Sequence, residues 1–76
     1  MFQTVESRLA ALLLEMAGAT NSIKGYTHKD LGKQIGTYRE TVTNTLHEMK
    51  VNGFIEIGRA RVTILDKRAL RELSEL

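Results

Sequence analysis

The stretch that decides the fold is Thr27-His28-Lys29-Asp30-Leu31-Gly32-Lys33-Gln34-Ile35-Gly36-Thr37-Tyr38-Arg39-Glu40-Thr41-Val42, continuing to Asn52. It carries two helix-start signals ten residues apart. Thr27 is followed three positions later by Asp30, which is close to a capping box with aspartate in place of the usual glutamate or glutamine. The helix it opens is expected over 28–35, with Leu31 and Ile35 four apart on its inner face. Gly36 stops it. A second start follows at Thr37-Tyr38-Arg39-Glu40, and a helix is expected from there to about residue 52, with Val42, Leu46 and Met49 on one side. Two helices joined by a short turn containing glycine have the outline of a helix-turn-helix. An ordinary helical hairpin fits that outline equally well.

The flanks separate the two readings. Upstream, a helix is expected over 5–17: Thr4 is a candidate N-cap, Leu9, Leu12, Leu13 and Met16 recur at helical spacing, and Gly18 is a stop. A polar connection over 19–25 follows, with a brief strand at 23–26. Downstream, Phe54-Ile55-Glu56-Ile57 and Arg61-Val62-Thr63-Ile64 alternate apolar and polar residues around a tight turn, Gly58-Arg59-Ala60. That is a hairpin with a basic tip. Asp66 then caps a last helix over 67–73, in which Leu70 and Leu73 face inward. Helix, helix-turn-helix, hairpin is the winged-helix order, and a plain helical hairpin has no reason to be followed by a basic β-ribbon. The expected fold class is mainly α with a small β hairpin: a three-helix core, a wing at about 54–65 and a short C-terminal helix. Residues 1–76 are expected to form one domain, with the helix-turn-helix at about 27–52.

Bulk composition agrees with one small core. The chain has 76 residues, 42% of them hydrophobic and 26% charged, and no proline. It is too short to shelter a deep catalytic cleft. It has no cysteine, which excludes disulfides and thiolate metal sites. Two histidines, His28 and His47, fall on different helices and cannot assemble the three or four ligands of a zinc site. No serine or threonine sits beside an evident activating base, so no enzyme is expected. The run at 9–14 is too short to span a bilayer and the first residues lack a basic signal-peptide region, so a cytoplasmic protein is expected and no membrane partner. Net charge is only +2, with a pI near 9.2. The distribution of charge, rather than its sum, must therefore identify a partner.

On a helix of about 100° per residue, Glu40, Thr43, Asn44 and His47 fall opposite Val42, Leu46 and Met49, with Arg39 at the flank of the first turn. Donors and acceptors near the N-terminus of a slim helix suit base edges in the DNA major groove: arginine to guanine, glutamate to cytosine, asparagine to adenine. A solvated helix face has similar composition. A winged helix used for protein contacts is the alternative, and it would be expected to show a more apolar face. Tyr26 reads as a packing residue. Gly32 reads as the point where the paired helices approach.

The run 27–42 resembles the C-terminal DNA-binding domain of the Crp–Fnr (catabolite activator protein) family of bacterial transcription regulators. Gly36-Thr37-Tyr38-Arg39-Glu40-Thr41-Val42 is its most specific part, and Asn52-Gly53-Phe54-Ile55 and the wing at 58–66 are similar as well. The resemblance implies that Arg39 and Glu40 read bases, joined by Thr43 and Asn44 on the same face. It implies phosphate contacts from Thr27, His28, Lys29, Thr37, Tyr38, Thr41, Arg59 and Arg61. It implies a full-length homodimer that binds double-stranded DNA and contacts RNA polymerase. No cofactor is expected in this domain; the relatives' N-terminal part binds a cyclic nucleotide or another effector. Two departures stand out. Asn44 occupies a position where relatives often carry arginine, which predicts weaker guanine reading and an adenine preference. Tyr38 stands where a small capping residue is usual, which predicts that the cap moves to Thr37 with Glu40 completing a capping box.

Overall fold

The computed structural model describes residues 3–76; Met1 and Phe2, the start of the stretch read above for an export signal, lie outside it. The element order is α1 (Val5–Ala17), a 3-10 turn (Gly18–Thr20), β1 (Ser22–Lys24), α2 (His28–Ile35), α3 (Arg39–Val51), β2 (Ile55–Gly58), β3 (Arg61–Ile64) and α4 (Lys67–Ser74).

Local signals explain most of these boundaries. The Thr4 hydroxyl accepts from the Ser7 N–H at 3.0 Å and starts α1; Gly18, at φ 54°, ends it. Asp66 accepts from the Ala69 N–H at 3.0 Å and starts α4. α3 ends in a paired closure around Gly53, at φ 79°. Phe54 N–H donates to the Met49 carbonyl and Gly53 N–H to the Lys50 carbonyl, each at 2.9 Å. This 6→1, 5→2 pattern satisfies carbonyls that the helix would otherwise leave unpaired.

The sheet is larger than the expected hairpin. It has three antiparallel strands in the order β1-β3-β2. The brief strand at 23–26 forms one residue earlier, as β1, and Tyr26 lies beyond it, 46% exposed rather than packed. β1 pairs Ser22 with Thr63, Ile23 with Val62 and Lys24 with Arg61; β2 pairs Ile55 with Ile64 and Ile57 with Val62. β3 is thus the central strand. Its inward residues Val62 and Ile64 are buried, as period-two alternation requires of a half-buried sheet.

The core draws on all four helices and all three strands. Leu9, Ala10, Leu13 and Ala17 of α1 meet Leu31 of α2, Val42, Leu46 and Met49 of α3, the sheet residues Ile23, Ile55, Val62 and Ile64, and Leu70 of α4. Full burial of each large side chain contributes roughly 1.5–3 kcal/mol. Leu12, Met16, Ile35 and Leu73 pack at the margin. Ser7 is a polar exception, fully buried in α1. Its hydroxyl lies 3.1 Å from the Ser74 carbonyl and 3.3 Å from the Leu76 carbonyl, so it ties α1 to the end of α4. Among the described residues no helix is long and apolar enough to cross a membrane.

Candidate nucleic-acid interface

The candidate interface is built on α2, α3 and the turn between them. Thr27 and Asp30 form a complete capping box: the Asp30 N–H donates to the Thr27 hydroxyl and the Thr27 N–H to Asp30 Oδ2, each at 3.0 Å. The Thr27 backbone N–H, and then its hydroxyl, hold the Asp30 carboxyl below the usual carboxylate range, with smaller help from Lys33 and Lys29. Gly36, at φ 72°, closes α2. Its N–H and that of Thr37 both donate to the Gly32 carbonyl. Arg8 of α1 also reaches the end of α2, donating through Nη1 to the Ile35 carbonyl. The cation sits where a helix C-terminus favours it.

The start of α3 departs from expectation. Tyr38, not Thr37, is the N-cap residue, and its side chain makes no cap bond. Thr37 belongs to the turn: its N–H donates to the Gly32 carbonyl and so is not free to receive Glu40 in a capping box, and its carbonyl oxygen lies 2.7 Å from where a Cβ on Gly32 would stand. Glu40 is therefore not drawn back to the backbone as a capping-box member. It is exposed beside Arg39, at 4.0 Å, with side chains 76% and 66% accessible. Thr4, Thr27 and Asp66 each cap their own helix; α3 starts without such a bond and leaves first-turn N–H groups available.

The outer face of α3 is polar. Thr43, Asn44 and His47 are exposed along with Arg39 and Glu40, and Tyr38 is 80% exposed at the helix tip. Thr41 is half-buried, and its carbonyl accepts from the Thr45 hydroxyl at 2.7 Å. Lys29, Lys33, Thr37, Tyr38, Arg39 and Glu40 line a shallow depression between α2 and the start of α3. On the other side of α2, Tyr26, Thr27 and His28 line a second depression with Ala60 and Arg61 of the wing. Arg59 and Arg61 are both exposed. The expected residues thus fall into two neighbouring groups, one on the helix-turn-helix and one at the wing.

The family pattern of the Crp-like helix-turn-helix domain matches residues 7–73. The chain belongs to this family. Sequence-specific DNA binding through the helix-turn-helix goes with that membership. The Crp-like domain is 32% identical over 80 residues to the transcriptional regulator SdrP of Thermus thermophilus, a match that covers 96% of this chain and 40% of that regulator. A protein from Eubacterium rectale assigned to the crp/fnr family of transcriptional regulators superposes with a TM-score of 0.94 at 32% identity, over 100% of this chain and 36% of that one. The catabolite activator protein of Thermus thermophilus gives a TM-score of 0.83 at 28% identity, over 92% of this chain and 33% of that one. The Crp-like domain thus spans about two fifths or less of the length of these relatives.

One pairing in the Crp-like domain was invisible in the sequence. His28, at the first position of α2, places Nδ1 2.7 Å from Oγ1 of Thr43 on α3. The residues are fifteen apart, and only the crossing of the two helices brings them together. Among the described residues no three His, Cys, Asp or Glu side chains converge as a metal site would require.

Proposed function

We propose that residues 3–76 act as one winged-helix unit, the DNA-reading head of a bacterial transcription regulator, with α3 inserted in the major groove. Arg39, Glu40, Thr43 and Asn44 contact base edges. Thr27, His28, Lys29, Thr37, Tyr38, Thr41, Arg59 and Arg61 contact phosphates. The observation that carries this reading is the state of the first turn of α3: Arg39 and Glu40 project into solvent, held by no cap and only loosely by each other. A groove-reading helix needs long, uncommitted side chains at its N-terminus, and free N–H groups there attract phosphate.

The polar face of Glu40, Thr43, Asn44 and His47 does not favour the protein-docking alternative. A regulator of this type uses two copies, with reading heads roughly 34 Å apart on a palindromic site. Dimer formation, contact with RNA polymerase and binding of a cyclic nucleotide or other effector are assigned to the whole regulator, acting in the cytoplasm. A single copy of this chain binds weakly and with strong salt dependence.

The test is a gel shift with selected and random duplex DNA, comparing the wild type with the double variant Arg39→Ala, Glu40→Ala. The expected result is loss of sequence preference with non-specific binding retained. A double variant that keeps the wild-type preference would remove these two residues from the reading face.

A further inference from the structure

Three groups form a hydrogen-bonded chain across the helix-turn-helix. The Thr43 hydroxyl donates to the Arg39 carbonyl one turn earlier, at 3.0 Å. A hydroxyl has one proton, so its oxygen is left to accept from His28 at 2.7 Å, and the imidazole carries its proton on Nδ1. Both contacts fix the Thr43 rotamer. The hydroxyl is engaged from both sides, yet the residue as a whole is exposed. The heavy atom without a polar commitment is its methyl carbon.

We infer that His28 is a positioning residue for base reading: by occupying the Thr43 hydroxyl, it makes Thr43 present its methyl group to the groove, where it contacts the C5-methyl of a thymine. This rests on the reading of α3 as the major-groove helix. It goes further by assigning a base and a chemical contact to one position. A free threonine can offer a hydroxyl to many base edges and discriminates poorly. A threonine whose hydroxyl proton is spent and whose oxygen already accepts one bond has no donor left for a base and presents chiefly its methyl group, and the apolar group it can meet in the major groove is the thymine methyl. His28 thereby acts on specificity without touching a base.

The experiment uses the 76-residue chain and a duplex site obtained from it by binding-site selection. Each thymine of that site is replaced in turn by uracil, which removes the C5-methyl and leaves base pairing intact. At one thymine the wild type should lose about fourfold in affinity, the value of one buried methyl group. Thr43→Ser keeps the hydroxyl chain and lacks the methyl, so its affinities for thymine and uracil there should be equal. Thr43→Val lacks the hydroxyl and keeps a methyl, and should retain the discrimination. His28→Ala removes one of the two contacts that hold the hydroxyl, leaving only its bond to the Arg39 carbonyl, and should reduce the thymine-to-uracil ratio, whereas His28→Asn, whose amide nitrogen lies near the place of Nδ1, should restore it. Thermal melts of each variant separate loss of reading from loss of fold.

Full discrimination by Thr43→Ser would overturn the methyl contact, and full discrimination by His28→Ala would overturn the positioning role. A site with clear base preference but no uracil-sensitive thymine would overturn the inference while leaving α3 as the reading helix. A wild-type chain that selects no site would instead overturn the reading on which the inference rests.

Discussion

The carbonyl oxygen of Thr37 stands 2.7 Å from the place a Cβ on Gly32 would occupy. Contacts under 3.0 Å do not persist, and here the neighbour is backbone rather than a flexible side chain. The turn that carries Thr37 could retreat only by shifting the start of α3. Gly32→Ala should therefore destabilise the fold by about 1–3 kcal/mol, as overpacking does elsewhere. Urea unfolding measures it, and an unchanged midpoint would show that the turn yields freely.

The capping box of α2 gives a second prediction. Thr27→Ala should cost about 1 kcal/mol. The Asp30 carboxyl titrates below its ordinary value because the Thr27 N–H, and then the Thr27 hydroxyl, bind its charged form. A depressed folded pKa means that the stabilisation is present above the unfolded value, near about 3.9, and is lost as pH falls through the folded one. The melting difference between wild type and Asp30→Asn should accordingly be present at neutral pH and vanish in strong acid. A difference independent of pH would assign the loss to something other than the charge.

Ala60 closes the wing with φ 49°, a region that costs an L-residue roughly 1–2 kcal/mol. Glycine adopts it freely but loses more entropy on folding. The net expectation for Ala60→Gly is a gain of about 0.5–1 kcal/mol. The Ala60 carbonyl keeps its bond from the Gly25 N–H at 3.2 Å. A lower melting temperature in the glycine variant would contradict the assignment of strain.

Asn44 is exposed on the outer face of α3, one turn past Glu40. Asparagine pairs with adenine and arginine with guanine, each good pair being worth about 1–3 kcal/mol of discrimination. Asn44→Arg should move the preferred base at the contacted position from adenine to guanine in a binding-site selection. An unchanged site would place Asn44 away from the bases.

The parts of this molecule legible in sequence are those set by neighbours along the chain. Thr4, Thr27 and Asp66 cap their helices through bonds that span three residues, so the starts of α1, α2 and α4 could be read directly. Gly36 and Gly53 were equally plain as stops. Failures came where distant segments decide. Ser22 finds its sheet partner at Thr63, so β1 could be suspected but not paired. Ser7 is buried because the end of α4, 67 residues on, comes back over it, a contact that nothing near it in the chain announces. Thr37 has the better capping chemistry, yet Tyr38 takes the position, while the Thr37 N–H is held in the turn by the Gly32 carbonyl of α2. His28 and Thr43 meet only because α2 and α3 cross.

The central place of β3 has a further consequence. β1 pairs along β3 up to Arg61, the Gly25 N–H donates to the Ala60 carbonyl at the wing turn, and two residues later Thr27 caps α2. The backbone of the wing and the start of α2 are thereby joined along a common strip, from which the exposed side chains of Arg59 and Arg61 extend. If these two points grip phosphates as proposed, their shared backbone makes them act as a caliper. A duplex whose local groove width differs from that span must deform to fit, whatever bases it carries, and deformation is costed by sequence. On that reading, part of the selectivity of such a head would come from the spacing that its backbone sets.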